Sequence, residues 1–404
     1  MPRQLSEQTI SVVKATIPAL EAQGLAITRR MYERMFQNAA IRDLFNQSHH
    51  GETGSQPKAL AVAILAYAQN IDNLGVLTAA VERIAQKHVG LNILPEHYPV
   101  VAEALLGAIQ DVLGEAATPE ILAAWGEAYW FLAEVLIGRE KQIYDENASA
   151  PGGWSGWRDF VVQERAKESE IVTSFILAPA DGGKVLAHRP GQYLTLWLEI
   201  PGRAPLKRNY SISSAPGDAQ YRITVKREPH GIASNWLHDA VQPGARLKVA
   251  APAGEFFLPD RPMRPVVLLS GGVGQTPMIS MLSVIAARHP ALPVHFVHGT
   301  QSGATHALGA EARALSAASG ERIKVTNFYE CPRPEDERGR DYDVAGRITL
   351  DWLHANTPLA EAEYFLCGPR EFLRIFVGGL LRHGVPATQV HYEFFGPADE
   401  MLAA

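Results

Sequence analysis

A glycine-rich segment at residues 271–277 has the composition and the context of a phosphate-binding turn. It follows a short apolar run, VVLLS, and opens an apolar helical segment, so its backbone N–H groups can face a pyrophosphate. It ends in Thr276-Pro277, where the common dinucleotide fingerprint has a further glycine. A dinucleotide site and a purely structural strand-to-helix turn both remain open on this motif alone.

A second motif, Arg208-Asn209-Tyr210-Ser211, lies on a predicted strand. Alternation places Arg208 and Tyr210 on one face and Asn209 and Ser211 on the other. A guanidinium suits a diphosphate, and a phenol suits the face of an aromatic ring. Arginine and tyrosine on a strand are also common on ordinary surfaces, so this motif needs support from the rest of the chain.

That support comes from three later segments. A small-residue stretch at 231–235 precedes a predicted helix and offers a second anion site, the residues 367–369 (Cys-Gly-Pro) close a predicted strand, and an aromatic motif, HYEFFGP, lies near the end of the chain. In this order the motifs resemble the ferredoxin reductase family of flavin and nicotinamide enzymes over about residues 155–404.

The resemblance implies two sets of cofactor-binding residues. The FAD set is Tyr193, Arg208, Asn209, Tyr210, Ser211, Ser234, Glu393, Phe394, Phe395, Gly396 and Pro397. The NAD(P) set is Gly271, Gly272, Val273, Gly274, Gln275, Thr276, Pro277, Cys367, Gly368 and Pro369. Within them Arg208 would bind the diphosphate, Tyr210 and Ser211 would lie against the isoalloxazine, and Phe395 would cover its ring. For Cys367 a buried cysteine at a strand end is an equally open interpretation.

The first third of the chain has helical periodicity and one histidine on an apolar face. His88 shares that face with Val81, Ile84 and Ala85, and an earlier pattern joins Leu25, Thr28, Tyr32, Met35 and Phe36. A lone histidine in such a place is most often a satisfied core residue. An apolar pocket around one imidazole is also what haem iron requires.

Read together with the reductase motifs, the helical part resembles a haem-binding domain. The residues that carry this resemblance, in chain order, are Tyr32, Phe45, Gln56, Leu60, His88, Tyr98 and Glu140. Over essentially its whole length the chain therefore resembles the flavohaemoglobin family. The resemblance implies His88 as the proximal haem ligand, with Tyr98 and Glu140 hydrogen-bonded behind it. A carboxylate there makes the imidazole more electron-donating, which favours activation of dioxygen over its storage.

On the distal side the resemblance implies that Tyr32 donates a hydrogen bond to bound dioxygen. Gln56 would lie at the entrance, Leu60 would set steric access, and Phe45 would stack against the porphyrin. Lys87 would pair with a haem propionate or face the flavin, with Glu393 across that gap; plain surface solvation is the alternative for both. The loop before Gln56 carries His49 and His50, which lack further ligands at metal-binding spacing.

These residues require three kinds of structural scaffold. Glycine and proline are sparser before about residue 150 than after it, which predicts helices first and strands and turns later. We expect a multidomain protein: an all-α globin domain (1–147), a linker (148–154), an antiparallel β-barrel FAD-binding domain (155–262) and an α/β NAD(P)-binding domain of the ferredoxin reductase type (263–404). A half-buried strand is predicted at 193–200 from its strict alternation.

Composition excludes several other classes. The formal net charge of -6, with 47% hydrophobic and 20% charged residues, gives no global basic field for nucleic acid. Two cysteines cannot form a disulfide framework, and the apolar runs fall short of the roughly 20 residues of a membrane span. We therefore expect a cytoplasmic protein without a membrane span.

The resemblance implies a nitric oxide dioxygenase with haem b, FAD and NADH or NADPH, which converts nitric oxide and dioxygen to nitrate. Its partners would be these small molecules, and a monomer suffices because donor and acceptor lie in one chain. The segment HGTQSGATHA has no arginine for a 2′-phosphate, which favours NADH. A haem-based oxygen or redox sensor, and a flavohaem reductase acting on oxygen or peroxides, remain as alternatives.

Overall fold

The computed structural model describes residues 4–44 and 55–396. Among them the chain forms two compact units. The first holds the residues up to Ser149 together with Glu199–Lys207, and the second holds Ala150–Leu198 and the residues from Arg208 onward. Phe45, Pro397 and the two histidines at 49 and 50 lie outside the described residues.

The first unit is helical. Its helices are α1 (Glu7–Ala15), α2 (Ile17–Met35), α3 (Ala39–Arg42), α4 (Ser55–Gln69), α5 (Thr78–Leu91), α6 (Tyr98–Leu113) and α7 (Pro119–Ser149). Several starts follow from the local sequence: the side chains of Ser6 and Asn38 accept hydrogen bonds from the first turns of α1 and α3, and prolines lie in the first turns of α2 and α6.

Two apolar clusters hold these helices together. One contains Ile27, Met31 and Met35 of α2 with residues of α4, α6 and α7, and the other lies around Val89 between α5 and α7. The expected stripe on α2 is wrong at one position, since Leu25 is 38% exposed. At about 100° per residue Leu25 lies just beyond the edge of the buried face that Met31 and Met35 occupy.

Helix α7 spans 31 residues. By length and composition alone it is one described helix that could cross a membrane, and α1 with α2, bent by 69° between them, passes the same test as a pair. The expectation that no segment could span a membrane was based on uninterrupted apolar runs. In α7 the apolar residues are interspersed with polar ones, so its length and overall apolar composition were not recognised. In this structure α7 packs against α1, α5 and α6, and it buries Glu140.

The second unit begins with an antiparallel barrel. Its strands are β1 (Trp157–Lys167), β2 (Val172–Pro179), β3 (Tyr193–Leu198), β4 (Leu206–Ser211), β5 (Tyr221–Lys226) and β6 (Arg246–Ala250), with α8 (Ile232–Ala240) after β5. The sheet order is β4-β3-β6-β1-β2-β5, and a bridge between Ile212 and Ile223 joins its two ends. The predicted barrel is confirmed.

Strand β3 differs from the prediction in length and exposure. It ends at Leu198 rather than at residue 200, and both Tyr193 and Thr195 are buried, although a half-buried alternating strand would leave one of its faces exposed. The Thr195 hydroxyl donates to Asn209 Oδ1 at 2.9 Å, and the turn at Gly254 covers the Tyr193 ring. Polar and amphipathic side chains such as Thr195 and Tyr193 can therefore be buried on this strand, because neighbouring elements provide a hydrogen-bond partner for one and cover the ring of the other.

A parallel sheet with helices on both faces follows. Its elements are β7 (Val266–Gly271), α9 (Gln275–Arg288), β8 (Val294–Thr300), α10 (Gly309–Ala318), β9 (Ile323–Tyr329), β10 (Val344–Ala345), α11 (Leu350–Asn356), β11 (Glu363–Cys367), α12 (Arg370–Arg382) and β12 (Val390–Glu393). The order β10-β9-β8-β7-β11-β12 changes direction between β7 and β11. Ligands of doubly wound sheets bind at the carboxyl ends of strands at such a point.

Buried polar contacts join the barrel to the parallel sheet within the second unit. The Ser280 hydroxyl on α9 donates to Ser214 O at 2.7 Å, and His188 Nε2 lies 3.2 Å from the same carbonyl. Arg222 of β5 pairs with Glu311 of α10 at 2.8 Å. Burial lowers the pKa of His188 to about 4, so this contact uses a neutral imidazole at physiological pH.

Candidate functional site

The strongest polar cluster of the helical unit joins α5, α6 and α7 around one carboxylate. His88 Nδ1 lies 2.7 Å from Glu140 Oε1 and 3.1 Å from the Tyr98 hydroxyl, which donates to the same Oε1 at 2.6 Å. Glu140 is 2% exposed and Tyr98 is 5% exposed. The structure thus brings together the three residues that the sequence assigned to the proximal side.

The hydrogen bonds fix the tautomer of His88. An ionised carboxylate only accepts, and the Tyr98 hydroxyl already gives its proton to Glu140, so Nδ1 must carry the hydrogen that faces them. Nε2 then keeps its lone pair, and within the described residues it makes no hydrogen bond. Burial and the neighbouring Glu140 raise the pKa of Tyr98, which keeps its hydroxyl protonated.

Other hydrogen bonds anchor the chain between His88 and Tyr98. The Tyr144 hydroxyl donates to Ile93 O at 2.8 Å, and the Tyr129 hydroxyl donates to Tyr98 O at 2.7 Å. The backbone N–H of Ile93 returns to His88 O at 2.9 Å. The imidazole is therefore positioned at both its side chain and its backbone.

Sequence reasoning missed Tyr129 and Tyr144, although a signal was present. Tyr144 lies four residues after Glu140 and Tyr129 eleven before it, and both spacings return to the same face of a helix. All three side chains point from α7 toward the segment that carries His88 and Tyr98. The signal was readable only with the partner segment known.

Tyr32 of α2 lies in the larger apolar cluster of the same unit. It is 7% exposed, and its hydroxyl hydrogen-bonds the side chain of Gln56 at the start of α4. Leu60, one turn further along α4, packs against the same cluster. Burial raises the pKa of Tyr32 to about 12, so it remains a hydrogen-bond donor at neutral pH. Lys87 occupies a half-buried position beside His88.

In the second unit, β3 and β4 present the residues assigned to FAD. Arg208 and Tyr210 occupy alternate positions of β4, and burial lowers the pKa of Arg208 and raises that of Tyr210. Asn209 is exposed at its surface but oriented by Thr195, and Ser211 is buried. The Tyr193 hydroxyl is buried and lacks a hydrogen-bond partner within the described residues. Buried hydroxyl groups normally have a hydrogen-bond partner, so the Tyr193 hydroxyl fits a polar group of a bound ligand.

Ser234 differs from its predicted place. Helix α8 begins at Ile232, so Ser234 lies inside its first turn rather than before it. Its hydroxyl donates to Gly231 O and accepts from the backbone N–H of Glu228. It therefore shapes the turn before α8 through its own hydrogen bonds.

The turn after β7 and the turn after β11 are in direct contact. A Cβ on Gly274 would lie 2.2 Å from Cys367 O, and one on Gly271 would lie 3.1 Å from the Pro369 ring. Gly272 has a φ of 55°, the left-handed region that favours glycine. A Cβ on Gly368 would lie 2.7 Å from the Phe372 ring. Close packing therefore restricts Gly271, Gly274 and Gly368 whether or not a ligand is bound, whereas Gly272 is favoured by its backbone conformation.

Side chains at the start of α9 point inward. Gln275 and Thr276 are each 2% exposed; Gln275 donates to Ala307 O and Thr276 to Val273 O. Pro277 is also buried. Only backbone groups of this turn are left to meet a phosphate, which agrees with the predicted use of helix N-terminal N–H groups.

The last strand places an acid beside the buried cysteine. Cys367 and Glu393 are register partners on β11 and β12, and Cys367 is fully buried. Burial and Glu393 raise the pKa of the Cys367 thiol, so it is protonated. Phe394 packs on the core of the parallel sheet, whereas Phe395 is 46% exposed. Of the residues assigned to the two cofactors, Cys367 and Glu393 are thus adjacent at one edge of the sheet.

No group of three or more histidine, cysteine, aspartate or glutamate side chains that could hold a metal ion is found in residues 4–44 and 55–396. A direct metal site built from protein side chains alone is therefore unsupported there. The single imidazole of His88, with one nitrogen fixed and the other available, suits an iron that is already held by a porphyrin.

Family models cover three parts of the chain. Residues 29–136 match the globin model, residues 159–258 the oxidoreductase FAD-binding domain and residues 268–377 the oxidoreductase NAD-binding domain. The three matches follow the order of the helical unit, the antiparallel barrel and the parallel sheet.

Full-length relatives share this arrangement. A flavohemoprotein of Xylella fastidiosa is 53% identical over 404 residues, which covers 100% of both chains. The crystal structure of a flavohemoglobin from Malassezia yamatoensis, with bound FAD and haem, is 28% identical, covers 97% of this chain and 100% of its own, and has a TM-score of 0.86. The FAD/NAD-binding domain of a nitric oxide dioxygenase from Vibrio cholerae is 39% identical over 59% of this chain and 99% of its own, with a TM-score of 0.54.

Replacing Glu140 by Gln tests the expectation that His88 ligates the haem iron. The amide can still accept from Nδ1, but it carries no charge, so the imidazole should donate less electron density and, if it binds the iron, the reduction potential of the iron should rise. Loss of such a partner typically lowers activity about 10- to 100-fold. Spectroelectrochemistry and steady-state turnover measure both effects. Glu134→Gln, at an exposed position of the same helix, is the control; equal behaviour of the two variants would contradict the assignment.

Replacing Gly274 by Ala should impair dinucleotide binding. The new Cβ meets the backbone at Cys367 O, so the turn and the end of β11 must separate. We expect the KM for NADH to rise about tenfold or more, because displacing the backbone costs roughly 1.4 kcal/mol of binding free energy. The FAD content should stay normal. NADH-to-ferricyanide kinetics give the KM. In Gly378→Ala the Cβ meets only the end of the flexible Arg382 side chain, and that variant should behave as the parent.

Proposed function

Because the chain belongs to the flavohaemoprotein family, we propose that it is a nitric oxide dioxygenase, which oxidises nitric oxide to nitrate with dioxygen and NAD(P)H. Family membership itself makes it an NAD(P)H-dependent oxidoreductase with haem, FAD and a nicotinamide dinucleotide as cofactors. The observation that carries the proposal is the buried group of His88, Tyr98 and Glu140. The nitric oxide dioxygenase activity named for the Vibrio cholerae relative supports it.

The residues present fit the three cofactors. His88 offers one neutral nitrogen in an apolar setting, Tyr193 has a buried hydroxyl in need of a partner, and the turn at Gly272 offers backbone N–H groups beside a tight glycine contact. When bound, FAD takes a hydride from NAD(P)H and releases electrons singly, and the haem iron is where dioxygen and nitric oxide react.

On the proximal side we assign roles to Glu140, His88 and Tyr98. Glu140 Oε1 holds the Nδ1 proton of His88 and so keeps Nε2 available and electron-rich as an iron ligand. The Tyr98 hydroxyl donates to the same oxygen and stabilises the buried carboxylate. A binding globin that only stores dioxygen gains nothing from such a charged partner, so this group favours redox chemistry.

On the distal side we assign ligand stabilisation to Tyr32. Its proton is retained because burial raises the pKa to about 12, and Gln56 orients the hydroxyl. A fixed O–H donor stabilises negative charge that develops on a gaseous ligand. We assign to Leu60 the limit on the volume near it, and the family resemblance implies a pocket role for Phe45, which lies outside the described residues.

In the second unit we assign FAD to the β3 and β4 residues, with Arg208 on the diphosphate, Tyr193, Tyr210 and Ser211 near the ring system, and Phe395 as its cover. The dinucleotide is assigned to Gly271–Pro277 and to Cys367–Pro369. Two arrangements support this: the contact of both turns, and the placement of Cys367 beside Glu393. With both cofactors bound by these residues, FAD and the nicotinamide would face each other near the point where the strand order reverses, and hydride transfer would take place there.

We propose domain limits close to those expected from the sequence: a haem domain to residue 147, a linker at 148–154, an FAD domain at 155–262 and an NAD(P) domain from 263. Helix α7 runs to Ser149 and β1 begins at Trp157. Trp154 already packs on Phe160 of the barrel, with ring centroids 5.5 Å apart.

Purified holoprotein given NADH, dioxygen and nitric oxide should produce nitrate in proportion to the nitric oxide consumed. An electrode follows nitric oxide, and ion chromatography measures nitrate against nitrite. Turnover with dioxygen alone should be much slower. Fast NADH oxidation that nitric oxide does not accelerate would instead indicate a reductase of oxygen or peroxide.

Tyr32→Phe should lose the donor while keeping the ring. We expect dioxygen to dissociate about 10- to 100-fold faster, the range for a hydrogen bond to a charged partner, and nitric oxide turnover to fall at low dioxygen. NADH-to-ferricyanide activity should not change. Flash photolysis measures the dissociation rate. Tyr67→Phe is a matched control, because its buried hydroxyl donates to Ala128 O on the neighbouring helix; a Tyr32 variant indistinguishable from it would exclude the distal role.

A further inference from the structure

The helix that carries His88 ends only three residues after it. The last carbonyls of a helix have no partner inside the helix. Just after α5, the backbone N–H of Ile93 donates to His88 O, and the backbone N–H of Asn92 donates to Val89 O. Asn92 adopts the left-handed conformation, with a φ of 59°. This is a Schellman ending, which leaves the carbonyl of Leu91 for a partner from elsewhere.

That partner is a buried lysine from outside the globin-like segment of the chain. Lys207 is 2% exposed, and its Nζ donates to Leu91 O at 3.1 Å and to Leu44 O at 3.4 Å. Lys207 belongs to the same compact unit as α5, through the segment Glu199–Lys207. A full positive charge thus lies at the negative end of the α5 dipole.

Lys207 also connects the end of α5 to the segment that follows α3. Leu44 packs against both apolar clusters of the helical unit. A single ammonium group therefore holds two backbone carbonyls, one at the last turn of the His88 helix and one at the contact of the two clusters.

We propose that Lys207 is a positioning residue for the haem-ligating histidine, holding the last turn of α5 so that the His88 imidazole keeps its orientation. The role rests on the assignment of His88 as the ligand, and it holds whether or not nitric oxide is the substrate. Lys207 was not among the residues predicted from the sequence, because it lies just before the motif that begins at Arg208 and is not part of it.

The charge on Lys207 is adjustable near neutral pH. Burial lowers the pKa of Lys207 to about 8, and the nearby Asp43 opposes that shift. His97, from the turn before α6, also faces Lys207, and its own pKa is lowered by burial and by the lysine. Because the pKa of His97 lies below its ordinary value of 6.5, Lys207 is the group that loses charge as the pH rises through about 8.

The test is the iron–histidine stretching band of the ferrous holoprotein, recorded by resonance Raman spectroscopy between pH 6.5 and 9.5. In the parent protein we expect the band to shift with a midpoint near pH 8. In Lys207→Met it should start at the high-pH position and not titrate, and in Lys207→Arg it should keep the low-pH position throughout. Lys141→Met, an exposed lysine of α7, should behave as the parent.

Haem dissociation to an excess of apomyoglobin provides a second measurement. Lys207→Met should lose haem about two- to fivefold faster, which is the range that a charge at a helix terminus contributes. Parent-like band position and haem loss in Lys207→Met would overturn the proposal. If that variant does not fold, a band in the parent protein that is constant from pH 6.5 to 9.5 overturns it instead.

His88→Ala separates this proposal from the one on which it rests. If the iron–histidine band survives in His88→Ala, both the assignment of His88 as the ligand and the positioning role of Lys207 are wrong. If the band is lost there but is insensitive to Lys207 and to pH, only the positioning role fails.

Discussion

The hydrogen bond from His88 Nδ1 to Glu140 is the interaction on which the helical half of the molecule depends. A carboxylate at 2% exposure is costly unless donors compensate it, and here two do so, from α5 and from α6. The same bond dictates which imidazole nitrogen is free. Structure and chemistry are therefore coupled: the helices must pack at this place for the acid to be tolerated, and the acid in turn decides what the histidine can do.

The reductase half obeys a different constraint, the close approach of two backbone turns. Gly274 fits against Cys367 O only because it lacks a Cβ, and the strands that lead to these turns are neighbours because the sheet reverses direction between β7 and β11. Buried contacts of Ser280 and His188 hold the barrel against α9 in the same unit. Residues far apart in sequence thereby come into contact at the carboxyl ends of neighbouring strands.

The sequence was informative where local chemistry decides the structure. The apolar strand, glycine turn and helix at 266–288 were predicted, as was the helical character of the residues before about 150, because periodicity, glycine and proline act within a few residues. It was misleading at three positions. Thr195, on a strand expected to be half-buried, is buried against Asn209 of a neighbouring strand. Leu25 lies beyond the edge of the buried face of its helix, and Ser234, expected before α8, lies within its first turn.

The sequence alone determined the order of the motifs, and with it the family, the cofactors and the identity of His88, Tyr98 and Glu140 as candidates. Only the tertiary structure decided that one oxygen of Glu140 accepts from both partners, that Tyr129 and Tyr144 fix the intervening backbone, and that Lys207 donates to Leu91 O at the end of the helix of His88. The reason is physical: motif residues are set by their own chemistry, whereas hydrogen-bond partners across helices depend on distances that no local pattern in the chain records.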